Sequence, residues 1–330
     1  MNLSKINRNI ILIADRVSRF KGIDSSSDYL ELIEDRYFED ISDGLSSICQ
    51  NIIYYDSPTH FLENIVQHKD DIVFSIWSGR KSRNRRALIP SICEAYGISY
   101  VGADTYANII CQDKILSKQF SLRNGINTPS YLFYEGGKFD ELLIKNLRLP
   151  LVIKPNFEGG SIGISKDCLA KSYEEALLKV SELFSIFKQP ILIEEFIRGK
   201  EVSIVIMGNR EQILFCEVAE LFIQDNAYDL ENNIFSFEVK KEESDMILSH
   251  RLITHDFPND ILNKAVSLFK NLGKVEELRI DGRYDGKNFY LLELSPDIHF
   301  GKAATFADTF NLKNIKYTEM LHMILTNAEN

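Results

Sequence analysis

Short apolar runs alternate with helical patterns over the first 104 residues, and no other feature restricts the fold as strongly. NIILIA (9–14) and DIVFSI (71–76) are short, rich in β-branched residues and bounded by polar ones, which is typical of buried strands. RALIPSICEAYGI (86–98) predicts a helix that ends near Gly97, and the short strand SYVG follows it. Because parallel strands need long connections, usually helices, this alternation predicts a doubly wound parallel sheet.

The remainder of the chain mixes helices with strands, so the predicted class is α/β with α+β character. Helical spacing predicts helices at 107–126, 172–184 and 259–273, and Ser172 with Glu175 has the pattern of a capping box. Further strands are predicted at 128–134, 149–155, 190–197 and 201–208. Residues 224–260 are polar and aperiodic, and they predict a long loop of the kind that is usually functional or mobile.

A hairpin is predicted at 277–296, with its turn at Asp285-Gly286. Counting outward from that turn places Asp281 and Glu293 roughly opposite each other on adjacent strands. A carboxylate framed by leucines, as Glu293 is, is costly to bury unless it is paired or bound to a cation, and Mg²⁺ takes such ligands. Arg279 shares the face of Asp281, where a cation can stabilise a developing oxyanion. The alternative interpretation is a ladder of ion pairs.

The segment LVIKPNFEGGSIGISK (151–166) places Lys154 at the end of a strand and follows it with a Gly-rich loop. Glycines let backbone N–H groups approach phosphate oxygens, and a lysine at the base of the loop suits phosphate. The segment does not match the P-loop pattern GxxxxGK[ST]. A plain hairpin is the alternative interpretation.

Three carboxylates occur close together in ILIEEFIRGKEVSI, namely Glu194, Glu195 and Glu201. Two acids at the end of an apolar strand and a third after Gly199 are placed to hydrogen-bond an adenine amino group and ribose hydroxyls. A solvated edge of a sheet would explain the same pattern.

The composition argues against several classes of protein. The formal net charge is −10, whereas a nucleic-acid-binding surface needs clustered positive charge. No run approaches the roughly 18 apolar residues of a membrane span, and the N-terminal stretch lacks the length and cleavage site of a signal peptide. The five cysteines are scattered and contain no CxxC pair. We therefore expect a reduced, cytoplasmic protein that acts on small molecules, with neither nucleic acid nor membrane as a partner.

One loop stands out against this acidic background. SGRKSRNRRALIP (78–90) carries five basic residues: Arg80, Lys81, Arg83, Arg85 and Arg86. A loop at a strand end ahead of a helix commonly lines a ligand crevice, and arginines suit carboxylate or phosphate. The loop predicts an anionic substrate bound by Arg80, Arg83 and Arg85, such as an acidic amino acid, a carboxylated peptide or a phosphorylated metabolite. A solvated loop is the alternative.

His299, in SPDIHFGK beyond the hairpin, is a further candidate substrate contact. A single histidine in such a position is more often structural.

The order of these motifs resembles the ATP-grasp superfamily, and within it the D-alanine–D-alanine ligase-like branch. Lys114 in CQDKILSK, Lys154 in VIKPNFEGGSIG, the acids of IEEFIRGKE and the hairpin RIDGRYDGKNFYLLELSP follow in that family's sequence over about residues 105–300. The resemblance implies an ATP-grasp fold in three parts. These are an N-terminal Rossmann-like pre-ATP-grasp domain (1–104), a central lid subdomain (105–188) and a C-terminal catalytic subdomain (189–330).

The resemblance also implies roles for individual residues. Lys114 and Lys154 match positions that hold ATP phosphates, and Arg279 matches the arginine that stabilises the tetrahedral intermediate, with Lys154 and Ser161 beside it as catalytic candidates. The small-residue loop over the phosphates corresponds to Gly159, Gly160 and Ser161. Nucleotide contacts correspond to Glu194, Glu195, Phe196, Ile197, Glu201 and Leu292. Ligands for Mg²⁺, or Mn²⁺ in its place, correspond to Asp281, Glu293 and Ser295.

The implied chemistry begins with ATP, which activates the carboxylate of an amino acid or small peptide as an acyl phosphate and releases ADP. An amine then attacks the acyl phosphate and releases phosphate. Homodimerisation through the N-terminal domain is implied by the resemblance alone.

The sequence departs from the family pattern mainly at substrate positions. The metal motif E-x-N reads Glu293-Leu294-Ser295, and the loop reads Gly-Gly-Ser instead of Gly-Ser-Ser. YDLENNI (228–234) lacks the usual lysine and tyrosine, and the N-terminal glutamate signature is absent from IADRVSRFKGIDSSS. We therefore expect that ATP use is kept and D-alanine specificity is not. The alternatives are a true D-alanine–D-alanine or D-alanine–D-lactate ligase, and a non-catalytic nucleotide-binding sensor or scaffold.

Overall fold

The N-terminal part of the chain forms a four-stranded parallel sheet. In the computed structural model, which describes residues 4–19, 32–79, 82–137, 141–224, 228–236, 248–296 and 299–328, its strand order is β2-β1-β3-β4. The strands are β1 (Ile10–Ile13), β2 (Ile52–Tyr55), β3 (Ile72–Ser75) and β4 (Ser99–Tyr100). The helices between them are α1 (Asp35–Ser46), α2 (Pro58–Asn64) and α3 (Leu88–Tyr96). The predicted parallel sheet is confirmed.

Helix α3 shows how local sequence sets these elements. It is preceded by a 3₁₀ turn at Arg85–Ala87 and ends at Gly97, whose φ of +66° is left-handed. Glycine adopts that conformation without a steric penalty, so the helix stops where the sequence predicts.

Residues predicted as one helix at 107–126 form two, and that prediction is wrong. Helix α4 (Thr105–Gln112) ends at Asp113, which is extended, and α5 (Lys114–Arg123) begins immediately after it. The Asp113 carboxylate accepts the backbone N–H groups of Ile115 and Leu116 at 3.0 and 3.2 Å, so it caps α5. The break makes Lys114 the first residue of α5.

A second, antiparallel sheet has the strand order β5-β8-β6-β7. Its strands are β5 (Tyr131–Tyr134), β6 (Leu151–Pro155), β7 (Leu169–Ala170) and β8 (Ile191–Glu195), with α6 (Glu141–Ile144) and α7 (Tyr173–Phe187) between them. At the start of α7, Ser172 Oγ accepts the N–H of Glu175 at 3.1 Å as predicted. The Glu175 carboxylate accepts the N–H of Lys171 at 2.7 Å, one residue earlier than a capping box requires.

The third sheet is five-stranded and antiparallel, with the order β11-β10-β9-β12-β13. Its strands are β9 (Lys200–Gly208), β10 (Ile213–Ile223), β11 (Leu248–Leu252), β12 (Glu277–Tyr284) and β13 (Phe289–Ser295), and α8 (Asn259–Asn271) precedes β12. Strand β11 lies inside the predicted loop 224–260, so the expectation of irregular structure is wrong there. Residues 225–227 and 237–247 of that loop lie outside the described residues.

The five-stranded sheet has two different faces. Ile204, Ile206, Leu278 and Ile280 pack against α4 and α8 in one core. On the other face Val205 and Met207 join the core of the parallel sheet, together with residues of α9 (Thr305–Leu312) and α10 (Tyr317–Ala328). The C-terminal helices thus close the N-terminal core. The three-part division of the chain stays a prediction, and β8 pairs within the central sheet, beyond the predicted boundary at 188/189.

Within the residues that the structure describes, no helix is both long enough and apolar enough to cross a membrane.

A buried pair of acids joins the parallel sheet to the start of β12. The Glu276 carboxylate accepts the N–H of Gly102 at 2.7 Å and pairs with Lys274 at 2.8 Å. The neighbouring Glu277 is also buried, and its Oε2 has no hydrogen-bond partner among the described residues. Burial, together with the charge of Glu276, raises the pKa of Glu277 well above its ordinary value.

Replacing Glu277 with glutamine should therefore stabilise the fold at neutral pH. Because its pKa is raised in the folded state, the wild-type protein loses stability as pH rises above the unfolded value of about 4.3. A glutamine side chain at this position stays neutral, so the gain should grow from pH 5 to pH 8 and reach about 1–3 kcal/mol. Urea unfolding at several pH values measures it. Glu220→Gln is the matched control: burial opposes ionisation of Glu220, but Arg251 and Lys200 outweigh it and lower its pKa, so this variant should destabilise. A Glu277→Gln protein no more stable than wild type at pH 8 would contradict the argument.

Candidate active site

The β12–β13 hairpin brings the two predicted metal ligands together. Asp281 pairs directly with Glu293, as counting from the turn predicts, and the next pair is Gly282 with Leu291. Leu292 is therefore the extra residue of a β-bulge. The bulge shifts the alternation of β13, so that Leu291 and Leu294 are both in the core while Glu293 is turned out of it.

Asp281 is held by a basic and a hydroxyl side chain. Arg279 Nε donates to its two oxygens at 2.8 and 2.9 Å, and Ser203 Oγ donates to Oδ1 at 2.6 Å. Ser295 lies opposite Arg279 in the strand register. The ion pairs of the alternative interpretation are thus present, and they keep Asp281 and Arg279 oriented on one face of the sheet.

Lys114 links this hairpin to the Gly-rich loop. Its Nζ lies 3.0 Å from Glu293 Oε1 and also donates to the carbonyl of Glu158. The start of α5 is fixed against β6, because the Asn156 amide donates to Asp113 at 2.7 Å and the Asn156 carbonyl accepts the N–H of Lys114 at 3.3 Å. The ammonium of Lys114 is buried at the junction of two sheets.

Lys154 and Glu194 form the second buried ionic group, with a third residue that the sequence analysis missed. Glu194 Oε1 lies 2.5 Å from Lys154 Nζ, and its Oε2 lies 2.6 Å from Lys118 Nζ. Lys118 also donates to Thr128 Oγ1 at 2.7 Å. The signal for Lys118 was its spacing: it lies four residues after Lys114 on one helix, and such residues share a face.

Burial and charge oppose each other in this group. Burial lowers the pKa of Lys118 to about 8, against the attraction of Glu194. Burial would raise the pKa of Glu194, but Lys118 and Lys154 outweigh it and hold the pKa below its ordinary value. Glu194 and Glu195 are both buried, so the solvated-edge interpretation is wrong for them.

The segment after β8 lines a cavity of about 330 Å³. Its lining residues are Arg148, Leu149, Pro150, Glu195, Phe196, Ile197, Arg198, Asp285 and Tyr290. Glu195 accepts the N–H of Arg148 at 2.9 Å and its Nη2 at 2.7 Å. Glu201 pairs with the buried Arg283 at 2.8 Å. Of the predicted nucleotide contacts, Glu195, Phe196 and Ile197 thus line this cavity, whereas Glu194, Glu201 and Leu292 do not. The side chains of Glu195 and Glu201 bind arginines.

The Gly-rich loop has a strained backbone. Gly160, Ser161 and Gly163 have φ values of +60°, +65° and +73°, which is uncommon for a serine. Ser161 Oγ donates to the carbonyl of Phe235 at 3.1 Å, so the loop contacts the segment 228–236. A Cβ atom on Gly163 would lie 2.7 Å from side-chain atoms of Phe187 and Pro155, so the loop is packed against α7.

The arginines of the basic loop differ in exposure. The Arg83 side chain is 66% exposed and lies 3.7 Å from Asp113, whereas that of Arg85 is 4% exposed and 3.3 Å from Glu158. The solvated-loop interpretation therefore fits Arg83 and fails for Arg85. Arg80 and Lys81 lie outside the described residues. The roles of these arginines as substrate contacts stay predictions.

His299 is held against the N-terminal part of the protein. Its ring stacks on Tyr37 of α1 at 3.7 Å between centroids, and its Nδ1 accepts the N–H of Gly301 at 3.2 Å. The Tyr37 hydroxyl accepts the N–H of Phe300 at 3.0 Å. These contacts fix the ring, and its role as a substrate contact stays a prediction.

The donor set at the hairpin fits Mg²⁺. Among the described residues, no group of three or more His, Cys, Asp or Glu side chains is placed to hold a metal. Magnesium usually binds through one or two carboxylates together with substrate phosphates and water. Asp281 and Glu293 supply two carboxylates, and two lysines are predicted to bind the phosphates. Ser295 could add a hydroxyl at the end of the same strand.

Two antiparallel sheets that enclose buried lysines and a pair of acids define the class of this protein, an ATP-grasp ligase. A sequence profile described as "D-ala D-ala ligase C-terminus" matches residues 123–326. The chain therefore belongs to the D-alanine–D-alanine ligase C-terminus family.

Individual relatives agree with this assignment. The chain is 28% identical to a D-alanine–D-alanine ligase of Pelagibacter ubique, over 81% of this chain and 83% of the relative. It is 25% identical to that of Carboxydothermus hydrogenoformans, over 83% and 86%. The resemblance inferred from the motifs is confirmed, and with it an ATP-dependent ligase that forms a C–N bond and uses ATP and Mg²⁺.

Solved structures of low identity share the fold. A D-alanine–D-alanine ligase from Bacillus anthracis superposes with a TM-score of 0.72 at 17% identity, covering 98% of each chain. The VanG D-Ala:D-Ser ligase from Enterococcus faecalis gives 0.69 at 18% identity, covering 98% of this chain and 100% of that one. The predicted ATP-grasp fold is confirmed.

Removing one charge from the Lys118–Glu194–Lys154 group should be costly. Glu194→Gln leaves the buried Lys118 and Lys154 ammonium groups without the carboxylate that they share, and breaking a buried pair in this way costs about 3–5 kcal/mol. Lys118→Met leaves Glu194 and Lys154 as a one-to-one pair and should cost less. The double variant Lys118→Met/Glu194→Gln should lose less than the sum of the two single losses, because both single variants lose the same ion pair. Guanidinium unfolding of the four proteins measures the coupling, and strictly additive losses would refute it.

Proposed function

We propose that this ligase activates a substrate carboxylate with ATP as an acyl phosphate and joins it to the amine of an amino acid or small peptide. One observation carries the proposal: Lys114 and Lys154 are both buried and ion-paired, and the partner of Lys114, Glu293, lies opposite Asp281 on the hairpin. Buried ammonium groups next to a Gly-rich loop suit phosphate oxygens. The phosphates would supply the negative charge that the carboxylate partners of the lysines supply in this structure.

Each group has a defined part in this reaction. Lys114 and Lys154 bind and orient the phosphates, while Asp281 and Glu293 hold Mg²⁺, which neutralises phosphate charge when bound. Arg279 lies on the same face and would stabilise the oxyanion that forms when the amine attacks. The loop at Gly159–Ser161 would exclude water from an acyl phosphate that hydrolysis would otherwise waste.

The substrate that we propose is anionic. Support comes from Arg83, whose exposed guanidinium lies 5.5 Å from the Phe157 ring at the start of the Gly-rich loop. Its position next to Asp113 places positive charge close to Lys114 and the phosphate end of the site.

A D-alanine–D-alanine ligase is the second candidate, and the names of the relatives favour it. Against it, Ser295 stands in the metal motif. The segment 228–236 contains no lysine, and the Asn233 carbonyl accepts a hydrogen bond from Arg283 Nη2 at 2.6 Å. A non-catalytic nucleotide-binding protein is the third candidate, supported by the Ser295 substitution alone.

Cytoplasmic location, a homodimer through the N-terminal part and the three-part domain division complete the proposal. They rest on the resemblance and on the composition.

Release of ADP and phosphate from Mg·ATP tests the reaction directly. Purified protein is assayed against separate pools of D-amino acids, L-amino acids, dipeptides and phosphorylated acids, with Glu293→Gln as the control. We expect release that depends on a pool with anionic members and that falls at least about a hundredfold in the variant. Release with D-alanine alone, with D-alanyl-D-alanine as product, would establish the second candidate. Tight ATP binding without release from any pool would favour the third.

Reversing the charge of Arg83 tests the anionic substrate. Arg83→Glu should raise KM for the active substrate about tenfold or more and leave KM for ATP within about twofold, because one favourable ion contact becomes repulsive. Stability should hardly change, since the side chain is exposed. Arg123→Glu, an exposed arginine at the end of α5, is the control. An unchanged substrate KM in Arg83→Glu would reject the role of the basic loop.

A further inference from the structure

Glu158, the residue before the Gly159–Gly160–Ser161 loop, is hydrogen-bonded through both its side chain and its backbone carbonyl. Its buried carboxylate accepts Gln189 Nε2 at 2.6 Å on Oε1 and Arg85 Nη2 at 3.3 Å on Oε2. Its backbone carbonyl accepts Lys114 Nζ. One residue therefore binds three side chains, each from a different part of the chain.

The neighbouring residue is held by the same two side chains. The Phe157 carbonyl accepts Arg85 Nη2 at 3.2 Å, and the Phe157 N–H donates to Gln189 Oε1 at 2.6 Å. Arg85 lies in the 3₁₀ turn within the basic loop, and Gln189 lies between α7 and β8. Beyond this anchor, Ser161 Oγ of the loop donates to the carbonyl of Phe235.

We propose that Arg85 is a positioning residue: through Glu158 it fixes the base of the phosphate-binding loop and the direction of the Lys114 ammonium. This inference rests on the proposed function and deepens it, because it moves Arg85 from substrate recognition to nucleotide binding. A buried guanidinium bonded to a buried carboxylate and a carbonyl has a defined geometry, since the fork of N–H groups is planar. Arg85 therefore joins the N-terminal sheet to the loop that covers ATP.

The pair is tested with Arg85→Gln, Glu158→Gln and the double variant. KM for ATP, kcat and KM for the second substrate are measured separately, and hydrogen exchange of residues 157–165 is followed in the ligand-free protein. Each single variant should raise KM for ATP by roughly tenfold to a hundredfold, the range expected for one charge-assisted hydrogen bond. Exchange in 157–165 should accelerate, and KM for the second substrate should change little.

Matched controls separate positioning from general stability. Arg251→Gln breaks a similar arginine–buried glutamate pair, with Glu220 on β10, at 2.6 Å. It should leave KM for ATP and the exchange of 157–165 unchanged. Arg85→Lys keeps the charge without the fork, and it should restore folding while recovering only part of the affinity for ATP. The double variant should lose less than the sum of the two single losses.

The outcomes are decisive in both directions. If Arg85→Gln folds but KM for ATP and the exchange of 157–165 stay at wild-type values, the pair is merely structural and the proposal fails. If none of the substrate pools supports ATP turnover by the wild-type protein, the proposed function fails separately. In that case calorimetric ATP affinity and hydrogen exchange of the same variants still decide the role of Arg85.

Discussion

The site depends on the pairing of three buried lysine ammonium groups at the junction of two sheets. Lys114, Lys118 and Lys154 are all buried, and a buried charge is costly unless a partner compensates it. Among the described residues their ion pairs are with two carboxylates, Glu194 of β8 and Glu293 of β13. Each sheet thus supplies one acid, and these ion pairs connect both sheets to helix α5. Three cations against two anions leave a positive excess, which the phosphates of a nucleotide would balance.

This arrangement links two events of the proposed reaction. Glu293 is both the partner of Lys114 and, opposite Asp281, a candidate magnesium ligand. A phosphate that takes over Lys114 would free Glu293 for the metal, so that nucleotide and Mg²⁺ are expected to bind together. Glu194 pairs with two lysines, so it would stay paired with Lys118 when Lys154 binds phosphate. The buried pairs therefore preserve the geometry of the site in the absence of ATP, and their loss is compensated when ATP arrives.

Features that depend on neighbouring residues in the sequence could be predicted, and those that depend on distant partners could not. The opposition of Asp281 and Glu293 followed from the hairpin turn, and the end of α3 followed from Gly97. The break at Asp113 was missed because apolar residues keep their helical spacing on both sides of it. The residue that donates to the Asp113 carboxylate, Asn156, comes 43 residues later in the chain. Strand β11 was missed for the same reason: its SHRL sequence is polar, and β10 supplies its pairing.

The basic loop shows most clearly why a motif does not assign a role to each of its residues. Arg83 and Arg85 have the same charge and lie two positions apart, so the sequence offered no ground for separating them. The fold separates them, because the 3₁₀ turn at Arg85–Ala87 directs one guanidinium into the protein and leaves the other exposed. The exposed arginine is available to a ligand. The buried one must be neutralised within the protein, and the carboxylate that neutralises it, Glu158, lies at the base of the Gly-rich loop.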